Sequence, residues 1–168
     1  MTMRVYVPAT WPVLRTLVKD GEFSPIGGTA FALTPRLRER YVTGDDEELE
    51  FAAMTEAARA SLRLLAVELG LGEDGTPPRR VVIAADLEDV TLRPDLDDGA
   101  VKISGTVPLE KVAAVHVDGE EAEYAVTQAS AAVDKADMGD LDAEFLVGEA
   151  EDHDLAWYDP SEIANLVR

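Results

Sequence analysis

Apolar residues alternate between two spacings along this chain, one suited to strands and one to helices. The β-branched and aromatic run at residues 4–7 predicts a short strand. Thr10 then opens a helix that runs to about Lys19 and ends at Asp20-Gly21. After a loop over 22–28, residues 29–33 predict a second strand, and Thr34-Pro35 marks the start of a short helix with proline at its first position. The longest helix is expected over 46–69. Its first turn is acidic, Gly70 follows its end, and two apolar rows run along it, one through Leu49, Ala53, Ala57, Ala60, Leu64 and Val67, the other through Phe51, Met54, Ala58, Leu62, Leu65 and Leu69. Only Thr55, Glu56, Arg59 and Arg63 form a polar stripe, so this helix is expected either at the centre of the domain or buried across a homodimer interface.

In the second half, 70–79 is a Gly- and Pro-rich surface loop, and 80–85 is a continuous apolar run suited to a central strand. Strands are expected at 100–104 and 112–117, the latter placing His116 on the face of Val112 and Ala114. Asp118 and Glu121 have capping-box spacing for a helix that packs Ala122, Ala125, Val126, Ala129 and Val133. Residues 149–154 read as a polar approach to a last strand, in which Leu155 and Trp157 alternate with Ala156 and Tyr158, and Asp159-Pro160 caps a terminal helix. The assembled pattern predicts a single α+β domain of 168 residues, a mixed sheet of about five strands with helices packed against it.

Four stretches, MRVYVPAT at 3–10, GTAFALTP at 28–35, ARASLRLL at 58–65 and EAEDHDLAWY at 149–158, together resemble an uncharacterised family of short acidic actinobacterial proteins. The resemblance implies a source and brings no catalytic or binding residue with it.

Charge narrows the function. The chain has 34 acids against 15 Lys and Arg, a net charge of −19, which repels nucleic-acid phosphates and anionic lipid and argues against direct nucleic-acid binding. The imbalance is uneven: residues 1–44 hold six bases and three acids, whereas ten carboxylates and no base lie between Lys135 and Arg168. Within that region Asp140, Asp142, Glu144 and Glu151 are the candidate partner-binding residues, able to steer a basic protein. Arg36 and Arg40, four apart on a helix, are a candidate anion site whose competing role is pairing with the acidic remainder.

The absence of cysteine removes disulfides, thiolate metal sites and cysteine nucleophiles, and fits a reducing, cytoplasmic compartment. No stretch is long and apolar enough to suggest a membrane span or a signal peptide. Glu149, Asp152 and His153 form a candidate metal site, one imidazole among carboxylates, though a metal enzyme usually draws ligands from several elements. None of the serines lies in a Gly-x-Ser-x-Gly turn, and Gly27-Gly28-Thr29 precedes no Lys, so neither a serine hydrolase nor a phosphate loop is indicated. No catalytic residue and no cofactor is assigned. The sequence reads as a non-enzymatic acidic binding or adaptor protein, the alternative being a small metal-dependent hydrolase or other enzyme using His153 and its neighbouring carboxylates.

Overall fold

The computed structural model describes residues 2–41, 43–70 and 75–168. In chain order it contains β1 (Met3–Ala9), α1 (Trp11–Asp20), β2 (Glu22–Phe23), β3 (Thr29–Ala32), α2 (Pro35–Arg40), α3 (Asp46–Gly70), β4 (Val81–Leu87) and β5 (Val90–Leu92). These are followed by β6 (Ala100–Ile103), β7 (Val107–Pro108), β8 (Val112–Val117), α4 (Glu123–Asp137), α5 (Leu141–Glu151), β9 (Ala156–Tyr158) and α6 (Ile163–Leu166). The α+β class is as expected, but the sheet is larger and of one sense. Seven strands run in the order β5-β6-β3-β1-β4-β8-β9, every neighbouring pair is antiparallel, and β2 pairs β7 in a separate two-stranded ladder. The mixed sheet expected from the sequence implied some parallel pairing. Instead, residues 22–28 return the chain after α1, so that β3 enters beside β1 in the opposite direction. The three-residue β5 is too short to leave a period of its own in the sequence.

Each strand presents alternate side chains to opposite sides. Val5, Val7 and Ala9 of β1, Val81, Ile83 and Ala85 of β4, and Val115 and Val117 of β8 pack beneath Trp11, Leu14 and Leu17 of α1 and Ile163 of α6. The other face carries Tyr6, Phe31, Val82, Ala84 and Ala114 and packs against Ala53, Ala57 and Ala58 of α3. A bulge between Ala84 and Ala85 shifts the β4–β8 register, which sends Val112 to the α1 face while Ala114 stays opposite α3. His116, paired with Val82, therefore does not share a face with Val112.

The second row of α3 is also covered. Leu62 and Leu65 are fully buried against Val126, Ala129 and Val133 of α4 and Ala143, Val147 and Ala150 of α5, so the middle of both apolar rows is covered within one chain, while each row keeps one exposed member. Phe51 and Val67 are the large apolar side chains of α3 left in water. Small residues line the α4–α5 contact and allow close approach, and Gly139, at φ 93°, makes the turn between the two helices. Helix α5 replaces the first part of the polar approach expected over 149–154. Its fully buried row of Ala143, Val147 and Ala150 is small, whereas Leu141 and Phe145 point outward, which conceals the helical period.

Several predicted caps hold and two do not. Thr34 accepts from Leu37 N at 3.1 Å at the start of α2, and Asp159 with Glu162 forms a capping box ahead of α6. Thr10 instead donates its hydroxyl to Glu68 at 2.8 Å. Asp118 caps no helix: it is buried, and its carboxylate accepts from Arg80 N, Nε and Nη2, each at 2.8 Å. Arg80 also donates through Nη2 to the main-chain oxygen of His153 at 2.8 Å, tying β4 and β8 to the loop after α5. Ser61 of α3 donates to Ala9 O at 2.7 Å and accepts from Val81 N at 3.1 Å, which pins the helix to the ends of β1 and β4. Of the 70–79 loop, residues 71–74 lie outside the described residues.

Candidate functional site

Two surfaces of the protein carry chemistry, an acidic helix face and a groove. The first is α5. Asp140 is its N-cap and accepts from Ala143 N at 3.0 Å, so its carboxylate is engaged in starting the helix. Glu144 and Glu151 turn toward α3, where Arg59 reaches them at 2.7 and 3.6 Å. Asp137 of α4 joins the same network through Arg59 and Arg63, whose guanidinium groups hold its carboxyl below the usual range, Arg63 contributing most. Of the four acids expected to meet a partner, three thus have structural contacts within the chain, while Asp142 stands in water.

Large apolar side chains stand beside Asp142. Met138, in the α4–α5 turn, is 87% exposed, Leu141 83% and Phe145 67%. Leu141 and Phe145 are four residues apart and share one face of α5, and Asp142, Phe145 and Glu149, spaced three and then four, run along the adjoining row. Isolated exposed apolar residues are ordinary, but an apolar stripe rimmed by carboxylates is the pattern of a protein-docking surface. Sequence reasoning found the charge of this region and missed the stripe, because α5 itself was not recognised. The Gly139-Asp140 pair, a helix stop followed by a helix N-cap, was the signal that could have revealed it.

The second surface is a groove of about 390 Å³ between the N-terminal half of α3 and the sheet. Its floor is made by Ala84 and Ala114, whose small side chains on central strands leave the space open. Tyr6 rises from β1 and donates its hydroxyl to Glu50 of α3; burial, and then that bond, hold the phenol well above its ordinary value. Arg4, two residues earlier on the same face, grips Asp86 with Nε at 2.7 Å and Nη2 at 3.1 Å. His116 also lines the groove, and burial, with a smaller contribution from the charge of Arg4, pushes its imidazole below its ordinary value. Trp157, its cross-strand neighbour on β9, and Phe51 of α3 complete the walls and are each 60% exposed.

The remaining predicted residues are placed as follows. Arg36 and Arg40 both reach Asp98, at 3.4 and 2.9 Å, and these guanidinium groups, Arg40 first, keep the Asp98 carboxyl below the usual range. Arg36 also lines a hollow of about 230 Å³ with Thr34, Leu92 and Pro94. Glu149 is exposed on α5, Asp152 is its C-cap, and His153 lines a narrow hollow beyond Phe51. Among the described residues, no three His, Asp or Glu side chains are grouped so that they could hold a metal ion, and this includes Glu149, Asp152 and His153. No helix among the described residues is long and apolar enough to cross a membrane.

A family model described as a family of unknown function matches residues 3–167. The chain belongs to this family, DUF6912. No curated protein and no solved structure matches the chain. The DUF6912 match takes in every strand and helix, so both the α5 face and the groove lie within the family's own region.

The state of His116 has a measurable consequence. His116 lines the groove together with Arg4 and Tyr6 of β1 and Asp46, Glu47 and Glu50 of α3. Because its folded value lies below the unfolded value of about 6.5, the unfolded chain takes up this proton first, and stability falls as pH drops through the window just below 6.5. Asp86 and Asp137, held low, lose their contributions only in more acidic solution. Urea unfolding at pH 7.5 and 5.5 should therefore show a loss on acidification that is smaller in His116→Gln. An equal loss in the variant would mean that His116 does not titrate as described.

Proposed function

We propose that this protein is a non-enzymatic, cytoplasmic binding protein whose outward α5 face docks a basic, amphipathic segment of a partner protein. The observation that carries the reading is the stripe of Met138, Leu141 and Phe145, standing in water among Asp142, Glu149 and the other carboxylates of the most acidic region of the chain. In such a surface the apolar centre supplies most of the affinity by losing water on contact, and the charged rim governs encounter and orientation. A net charge of −19 favours basic partners and disfavours nucleic acid at long range. The enzyme alternative at His153 has less support, since neither Glu149 nor Asp152 is grouped with its imidazole in a metal-holding set among the described residues.

The test uses a labelled peptide with one leucine face and one lysine–arginine face, followed by fluorescence anisotropy. The reading expects saturable binding that weakens at least about tenfold when Leu141 and Phe145 are both replaced by Ser. Asp142→Asn with Glu149→Gln should chiefly slow association, and that slowing should fade as salt shortens the reach of the field to about 8 Å. These two acids are the informative ones, because neutralising Glu144 or Glu151 breaks the Arg59 network and replacing Asp140 removes the α5 cap. Undiminished binding by the double Ser variant would refute the assignment of the α5 face.

A further inference from the structure

The groove beneath the N-terminal half of α3 is chemically unlike the α5 face and shares no lining residue with it. We propose that it is a binding site for a small organic cation, one with a guanidinium or ammonium head on a short apolar stem. At about 390 Å³ the space is of ligand size, and it exists because Ala84 and Ala114 occupy positions where a larger core residue would close it.

The walls select the ligand. Trp157 and Phe51 offer aromatic surface in a hollow that also presents Asp46, Glu47 and Glu50. Rings attract a cation through their negative faces, and the attraction grows when carboxylates stand nearby and water is partly excluded. Among the described residues the guanidinium groups nearby are already engaged: Arg4 is bound by both oxygens of Asp86, and Arg38 holds Asp46 at 2.8 Å. His116, kept neutral by burial, adds no charge to oppose a cation at neutral pH. Four carboxylates, those of Asp46, Glu47, Glu50 and Asp86, thus face two guanidinium groups, and the site retains an excess of negative charge. The protein makes the same pairing internally, where the Arg79 guanidinium lies 5.4 Å from the centre of the Trp11 ring.

An anion is disfavoured because, among the described residues, the guanidinium groups at the groove are bonded to carboxylates, and a purely apolar ligand would strand Glu47 and Glu50 against it. The stem has its own surface, the Met54 side chain and the two alanines of the floor. The site does not depend on the α5 reading, since it shares no residue with that surface.

The experiment compares n-butylguanidinium with n-butylurea, which has the same shape and no charge, by calorimetry and tryptophan fluorescence. Trp157 is the reporter, Trp11 being buried in the core beneath Arg79. The guanidinium compound should bind saturably at about millimolar affinity, appropriate to so small a ligand, and the urea at least about tenfold more weakly. Trp157→Phe should abolish most of the optical signal while leaving calorimetric binding. Glu47→Gln together with Phe51→Ala, both at exposed positions, should weaken binding about tenfold without altering the fold. Ala114→Leu should close the groove and remove binding. N-acetyl-arginine methylamide separates the sources of the cation: tighter binding than butylguanidinium assigns the head to a peptide side chain, and exclusion assigns it to a free small molecule. Equal binding of butylguanidinium and butylurea, an unchanged affinity in the Glu47/Phe51 variant, or no saturable binding would overturn the proposal.

Discussion

Replacing Asp118 with Ala should cost about 3–5 kcal/mol, the largest loss expected from any single polar substitution in this protein. Arg80 and Asp118 have side chains only 4% and 0% exposed, and the carboxylate accepts three bonds from Arg80, one of them from its main-chain nitrogen. Removing one partner leaves a guanidinium buried without its counter-charge, so the cost is the desolvation of that charge rather than the modest net value of the pair. A fully folded domain has about 5–15 kcal/mol in total, so the variant should be partly unfolded at 37 °C. The double variant Arg80→Met with Asp118→Leu should recover part of the loss, because it removes both buried charges and leaves only the Arg80 main-chain N–H without its acceptor. Urea unfolding measures both. A single variant within about 1 kcal/mol of the parent would mean that Arg80 finds water or another acceptor.

Leu65→Ala should cost about 2–5 kcal/mol, and the cost should not depend on protein concentration. Leu65 is fully buried in the cluster where α3 meets α4 and α5, and a truncated side chain there leaves a cavity that small, close-packed alanines on the facing helices cannot fill. The sequence left open a second possibility, that this row is covered by another copy of the chain, in which case the midpoint would shift with dilution. Hydrogen exchange adds a spatial signature. The α4–α5 pair should lose protection first, with the sheet retaining its own, since Leu62 and Leu65 are the α3 residues fully buried against these two helices. A concentration-dependent midpoint, or an even loss of protection, would contradict the packing described.

The strands were legible where both of their faces are buried. The apolar run at the start of β4 and the segment forming β8 stood out because burial on two sides demands apolar side chains throughout. The long helix was legible for the same reason, having two covered rows. Legibility failed where a short element or a reversed pattern hid the period. β5 has three residues, and α5 buries Ala143, Val147 and Ala150 while exposing Leu141 and Phe145, so two of its large apolar residues point away from its core side. The expected sheet was mixed, and nothing in the pattern announces that residues 22–28 turn the chain back so that β3 pairs β1 antiparallel. Asp118 was misread because helix-cap spacing is a local signal, whereas its partner Arg80 lies 38 positions away. The groove was not legible at all: Arg4, Tyr6, Glu50, His116 and Trp157 come from four elements, and only the sheet register and the packing of α3 bring them together.

The most direct measurement of the central claim is a quantitative comparison of the proteins retained from native cell extract by the parent chain and by its Leu141→Ser/Phe145→Ser variant, each at low and at high salt. The account predicts one or more basic proteins captured by the parent, strongly depleted with the variant whose acids are all intact, and retained less well as salt rises. Capture of the same proteins in the same amounts by both chains would show that the exposed stripe of α5 is not a docking surface, and that its surrounding charge serves solubility alone.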